Sequence, residues 1–119
     1  MTTYTTQTLV PALVHGVPSG NYAGGNVYVG NAVPAANYYG GQGAIQTVLF
    51  DVSALQGNIV IEATLNDNQV SAPWFEIANL TAANTTSVTS NTVVGNFTWL
   101  RARITDFASG NVNTVTAAY

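Results

Sequence analysis

Thr98-Trp99-Leu100-Arg101-Ala102-Arg103-Ile104-Thr105 decides the fold class. Its side chains alternate strictly, with Leu100, Ala102 and Ile104 on one face of an extended chain and Trp99, Arg101 and Arg103 on the other. Phe97 extends the Trp99 face. One face is therefore aliphatic and the other aromatic and cationic, as in a central strand covered on both sides. Two arginines at i and i+2 call for carboxylates, with Glu62, Glu76 and Asp106 as candidates, or for another subunit. The alternative is that Arg101 lies over Trp99 or Trp74 as a cation–π contact.

The same period-2 pattern recurs outward from this stretch. Val48, Phe50 and Val52 share one face of Ala44–Val52, and Ile59, Ile61, Ala63 and Leu65 share the core face of Ile59–Leu65. Further strands are predicted at Thr3–Val10, Val27–Val33, Trp74–Ile77, Ser87–Val94 and Val112–Ala118. No stretch keeps a helical apolar period over ten residues free of glycine and β-branched runs. Gly-Asn occurs six times, and the pairs at 57–58, 95–96 and 110–111 precede predicted strands, where turns are expected. The reading is an all-β, antiparallel β-sandwich, jelly-roll-like, with about eight strands. A Greek key is expected over a meander. Residues 1–37 read as an N-terminal strand and an extended arm or loop segment, and 38–119 as the sandwich body, within a single domain. Residues 16–43, rich in Gly, Asn, Pro and Tyr, fit either an arm on a neighbour or loops crossing the body.

Composition narrows the function. The chain has 119 residues, enough to bury a core without disulfide or metal. Charged residues make up only 6%, against about 25% in ordinary proteins. Two arginines and a net charge of −3 make no basic patch for nucleic acid. One histidine and no cysteine give neither a zinc site nor a disulfide framework. No apolar run reaches the length of a membrane span, and Met1-Thr-Thr-Tyr-Thr-Thr6 lacks the features of a secretory signal, so a chain made in the cytoplasm, or a mature form, is expected. A surface with so few ions repels its copies weakly, which favours association.

Catalytic signals are missing. No serine sits in a nucleophile elbow, the five carboxylates show no recognisable spacing, and Gly40-Gly41-Gln42-Gly43 precedes a strand instead of a helix. Asn66-Asp67-Asn68 reads as a hairpin loop or a weak calcium site. Sequons at Asn79, Asn84 and Asn96 follow from the abundance of Asn and Thr. No catalytic, cofactor or metal residue is assigned. Tyr4, Tyr22, Tyr28, Tyr38 and Tyr39 are the candidate assembly contacts, because tyrosine combines area with a polar tip. Trp74, Trp99, Arg101 and Arg103 are the candidate structural residues.

Three runs carry a family resemblance: Gln46-Thr-Val-Leu-Phe-Asp-Val through Ile61-Glu-Ala-Thr-Leu65, Trp74-Phe-Glu-Ile77, and Gly95-Asn-Phe-Thr-Trp-Leu-Arg-Ala-Arg-Ile through Gly110-Asn-Val-Asn-Thr-Val115. Together with Tyr38-Tyr39-Gly40-Gly41 they resemble β-sandwich virion proteins of tailed bacteriophages, those of marine and cyanobacterial phages most. The resemblance spans residues 38–119 and implies a structural role for Arg101. It also implies a non-enzymatic virion subunit, a capsid decoration or cement protein whose partners are its own copies and a major capsid or tail protein. Two alternatives stay open: a tail or fibre adhesion module binding host glycan, and a filament subunit that exchanges its N-terminal strand.

Overall fold

The computed structural model describes residues 6–20, 22–35, 45–65 and 73–119. All regular structure in them is β. Four short strands, β1 (Thr6–Val10), β2 (Leu13–Val14), β3 (Tyr28–Val29) and β4 (Val33–Pro34), precede three strands of twenty residues each, β5 (Ile45–Thr64), β6 (Phe75–Val94) and β7 (Trp99–Ala118). The sheet order is β1-β7-β5-β6, with β2, β3 and β4 also paired to β7. The eight expected strands are thus regrouped. Ala44–Val52 and Ile59–Leu65 are one strand, as are Trp74–Ile77 with Ser87–Val94 and Thr98–Thr105 with Val112–Ala118, while Val27–Val33 splits into two short pieces. Leu65, expected in the core, is 61% exposed just past the end of β5.

The two layers come from folding one ribbon. Twenty extended residues would run about 66 Å, yet the molecule measures 39 Å along its longest axis. Val94 lies opposite Ile45 at one end of β5, and Trp99 lies opposite Thr64 at the other. Only residues 95–98 join them, a link that reaches roughly 18 Å. The two ends of β5 must therefore lie close together. Hydrogen bonds confirm the closure: Gln46 Nε2 donates to the Gly95 carbonyl at 3.3 Å and Thr98 N to the Thr64 carbonyl at 3.0 Å. At the end of β7, the Tyr119 hydroxyl donates to the carbonyl of Pro34, the residue paired with Trp99 at its start.

The bend falls where all three long strands carry bulges. Pairing slips between Val52 and Leu55 and between Leu55 and Gly57 on β5, and β7 and β6 slip alongside. Ala54, Asn84 and Asp106 take positive φ values of 50°, 51° and 53° there. Each extra residue moves the following side chains to the other face. Buried positions on β5 accordingly switch from Gln46, Val48, Phe50 and Val52 to Leu55, Ile59, Ile61 and Ala63. The two Gly-Asn pairs expected to turn the chain at 57–58 and 110–111 sit in this crease and bend it without ending a strand. Gly110 has φ 87°, and a Cβ added to it would collide with the Ala54 carbonyl.

Between the layers lies the core. Val48, Phe50, Val52, Val112, Val115 and Ala117 of the first layer pack with Ile59, Ile61, Ala63, Leu100, Ala102 and Ile104 of the second. The N-terminal segment closes the β7 edge. β1 and β2 pair with the C-terminal half of β7, and β3 and β4 with its N-terminal half. Residues 16–20 and 22–35 thus lie on their own chain, while 36–43 of the same stretch fall outside the described residues. β1 and β2 add Leu9, Val10 and Leu13 to the core, and the segment after them adds Tyr22 and Tyr28. The Tyr22 ring packs 5.5 Å from Phe107, while its hydroxyl donates to the Gly25 carbonyl at 2.7 Å and accepts from Gly16 N at 3.0 Å. Burial raises the Tyr28 hydroxyl above its ordinary pKa of 10.0.

Two tests follow from this packing. Gly110→Ala should lower unfolding free energy by about 3 kcal/mol or more, through strain and overlap, in urea titrations. Gly25→Ala, with open space at its Cβ, should stay within about 0.5 kcal/mol. For Tyr28, the unfolded phenol ionises near 10.0 while the folded one keeps its proton. Its contribution to stability is complete below pH 10.0 and declines as pH rises toward the folded value. Tyr28→Phe should flatten that alkaline decline in thermal melts.

Candidate functional site

The two outer faces of the sandwich differ in charge. On the first layer the outward residues include Ile45, Thr47, Leu49, Asp51, Val88, Ser90, Thr92, Val94, Thr114 and Thr116, as the register requires. Asp51 is the one charge among them, and it accepts a hydrogen bond from Asn113 Nδ2 at 3.0 Å. The second layer's outer face carries Glu62, Arg101 and Arg103, with Glu76 opposite Glu62 on β6. Both cations of the chain stand on it.

Pairing across β5 and β7 builds this cluster. Glu62 is in register with Arg101, Val60 with Arg103 and Thr64 with Trp99. Arg101 Nε donates to Glu62 Oε1 at 2.8 Å. Its guanidinium carbon stands 4.4 Å from the Trp74 ring centroid. Both partners expected for Arg101, a carboxylate and an indole, are therefore present at once. The stacked guanidinium shields Glu62, whose side chain is only 9% exposed. Arg103 reaches the same carboxylate more loosely, at 3.7 Å, with its side chain 43% exposed. Asn79 Nδ2 donates to Glu76 Oε2 at 2.9 Å, and Asn58 Nδ2 to Asp106 Oδ2 at 3.4 Å. The carboxylates among the described residues are thus bound by neighbours and do not converge on one another.

Among the described residues, no three His, Cys, Asp or Glu side chains form a metal-holding group. Two depressions mark the surface. One of about 310 Å³ is lined by Thr8, Leu9, Pro11, Gly20, Tyr28 and Asn31, and one of about 340 Å³ by Ile45, Thr47, Ala118 and Tyr119. Neither is lined by an ionisable acid or base of the carboxylate, imidazole or amine type.

The expected contact residues divide. Tyr4, Tyr38 and Tyr39 lie outside the described residues, as does the Asn66-Asp67-Asn68 loop. Tyr22 and Tyr28 are 1% and 5% exposed and belong to the chain's own core, which corrects their reading as assembly contacts. Their apolar neighbours on β7, not their own sequence context, put them there. Trp74 and Trp99 are both partly buried, Trp74 against Arg101 and Trp99 opposite Pro34. Sequence reading missed the open edge of β6. The signal was the polar run Asn84-Thr-Thr-Ser-Val-Thr-Ser-Asn-Thr92, β-branched yet without the apolar alternation of a buried strand. Compared with known proteins, the chain matches no protein-family model and no curated protein.

Removing Arg101 takes away the closer partner of the Glu62 carboxylate and leaves it with the looser contact to Arg103. Arg101→Ala should cost about 2–4 kcal/mol, somewhat less than a fully buried pair because the arginine is partly in water. The double variant Glu62→Leu/Arg101→Met should recover most of that loss. A double-mutant cycle by chemical denaturation measures both, and equal losses in the single and double variants would contradict the assignment.

Proposed function

We propose that this chain is a non-enzymatic structural subunit of a tailed-phage virion, a capsid decoration protein that stabilises the shell by protein–protein contact. Its partners on this reading are its own copies and a major capsid or tail protein, in a virion assembled in the host cytoplasm. The first layer's nearly uncharged outer face carries the proposal. Val88, Val94 and Ile45 are 67%, 72% and 58% exposed on it, amid threonines and serine. Such a face loses water at little cost, since it holds one ion where an ordinary surface holds many. A subunit that binds only the assembled lattice stabilises that lattice by mass action. The tying of Glu62, Glu76 and both arginines into local contacts supports a role without acid–base chemistry.

One observation favours the adhesion reading as a second choice. Arg103, its side chain 43% exposed, shares the charged face with Trp99 and with Trp74, which stacks on Arg101, and an exposed cation on a face that carries indoles suits an acidic sugar. The filament reading gains nothing, because β1 is paired with its own β7 and buries Leu9 and Val10.

Quantitative mass spectrometry of density-purified phage particles from producing cells should find this chain in many copies per particle. Its absence from the particles would overturn the decoration reading. Specific retention of the free chain on an acidic-glycan array, lost in Arg103→Ala, would favour adhesion in its place.

A further inference from the structure

The two long edges of the folded ribbon are finished differently. Along β7, four short strands, their breaks and Pro34 cover the edge. Among the described residues, β6 pairs on one side only, with β5, through sixteen of its twenty residues. Proteins usually guard such an edge with lysine, proline or inward charge. From Ile77 to Val94 the strand holds no charged residue, no proline and no glycine. It carries extra residues at Ile77 and around Asn84, which leaves Thr85–Val94 as the longest stretch without one of its own.

That stretch also protrudes. In the first layer Val48, Phe50 and Val52 are buried, but the β6 residues paired with them are not. Thr89, opposite Phe50, and Asn91, opposite Val48, are exposed, and Ser87, opposite Val52, is half-buried. On the other face Val88 and Val94 are 67% and 72% exposed. Both faces of the strand carry exposed side chains, and among the described residues no strand pairs with its outer edge.

We infer that the Thr85–Val94 edge of β6 pairs antiparallel, about a two-fold axis, with the same edge of a second copy of this chain. The inference deepens the subunit reading and rests on it for the purpose of association. Three features select a second copy as the occupant. A partner must offer a free strand edge, and this chain owns one. An antiparallel two-fold pairing closes on itself, consuming both edges and leaving none to propagate. Charge permits it as well. A two-fold near Thr89 sets Val88 opposite Ser90 and Thr86 opposite Thr92, and sends the two copies of Glu76 to opposite ends. Like charges never face each other, and the cationic cluster stays on the other layer. The result is one sheet continuous through both sandwiches, with the neutral outer faces of the two copies joined.

The chain lacks cysteine, which makes the test direct. Single cysteines placed in turn at positions 86 to 92 are oxidised in dilute solution and read on non-reducing gels. Opposed residues in such a pair have Cβ atoms about 4.5–5.5 Å apart, close enough for a disulfide to form at the two-fold. The expected result is a dimer of twice 12.4 kDa whose cross-linking yield peaks at one position and falls on both sides. Sedimentation velocity should show the unmodified chain dimerising, and Ser87→Lys/Thr89→Lys should weaken that dimer at least about tenfold by setting lysines against each other. Circular dichroism melts check that the lysine variant folds. A monomer at high micromolar concentration, or a cross-linking yield flat along β6, overturns the inference. If that happens while the chain is still found in purified particles, the decoration reading stands without it. An edge dimer absent from every particle would reverse the two outcomes.

Discussion

Everything in this molecule depends on the crease that lets three twenty-residue strands double back together. A strand cannot bend sharply while every residue keeps its ladder partner, because the pleat resists it. Bulges relieve that constraint by letting two residues face one. Here they occur on β5, β6 and β7 at the same level, so the ribbon bends as a unit. Ala54, Asn84 and Asp106 accept left-handed backbone for it, and Gly110 supplies the close approach that a side chain would block. Without the crease there would be one flat sheet with apolar residues on both sides and nothing to pack against.

The bend also sorts the charges. Once folded, the ribbon's convex side becomes two separate outer faces. Glu62, Arg101 and Arg103 fall on one of them, and Asp51 alone on the other. On the charged face one carboxylate serves two guanidiniums and an indole stacks on one of these, while Arg103 Nε is buried without a hydrogen-bond partner among the described residues. Such a cluster fixes local geometry more than it adds stability, because desolvation offsets much of the Coulomb gain. The neutral face has no comparable internal demand. Its threonines, serine and valines are available to whatever lies against them.

Alternation made the strands legible. Spacing grouped Leu100, Ala102 and Ile104, and Val48, Phe50 and Val52, each on one face, and gave Ile59, Ile61 and Ala63 to the core; all are buried, while Leu65, given to the core with them, is exposed. The all-β class followed. The places where alternation slips, after Val52 and after Ile104, look the same in sequence whether the chain turns or bulges. Gly-Asn suits a hairpin and also suits a bulge that needs positive φ, so local chemistry could not separate one long strand from two short ones. The arginine cluster was half legible, since period 2 put Arg101 and Arg103 on one face and left a carboxylate, another subunit or a tryptophan as partners, and only register could choose Glu62. Tyr22 and Tyr28 were misread because a loop rich in glycine and asparagine looks exposed until β7 is laid beside it. Edge position leaves no residue signature of its own, and β6 became an edge only when the strand order was known.

The central place of β7 has a consequence for how the protein is made. β1 to β4 are hydrogen-bonded to β7 and to no other strand, yet β7 follows all of them in the chain. On the ribosome, the early segments must wait as unpaired, partly greasy tape until their template emerges. Maturation should therefore resemble a late zipper, with chaperones finding their substrate in the interval before it closes.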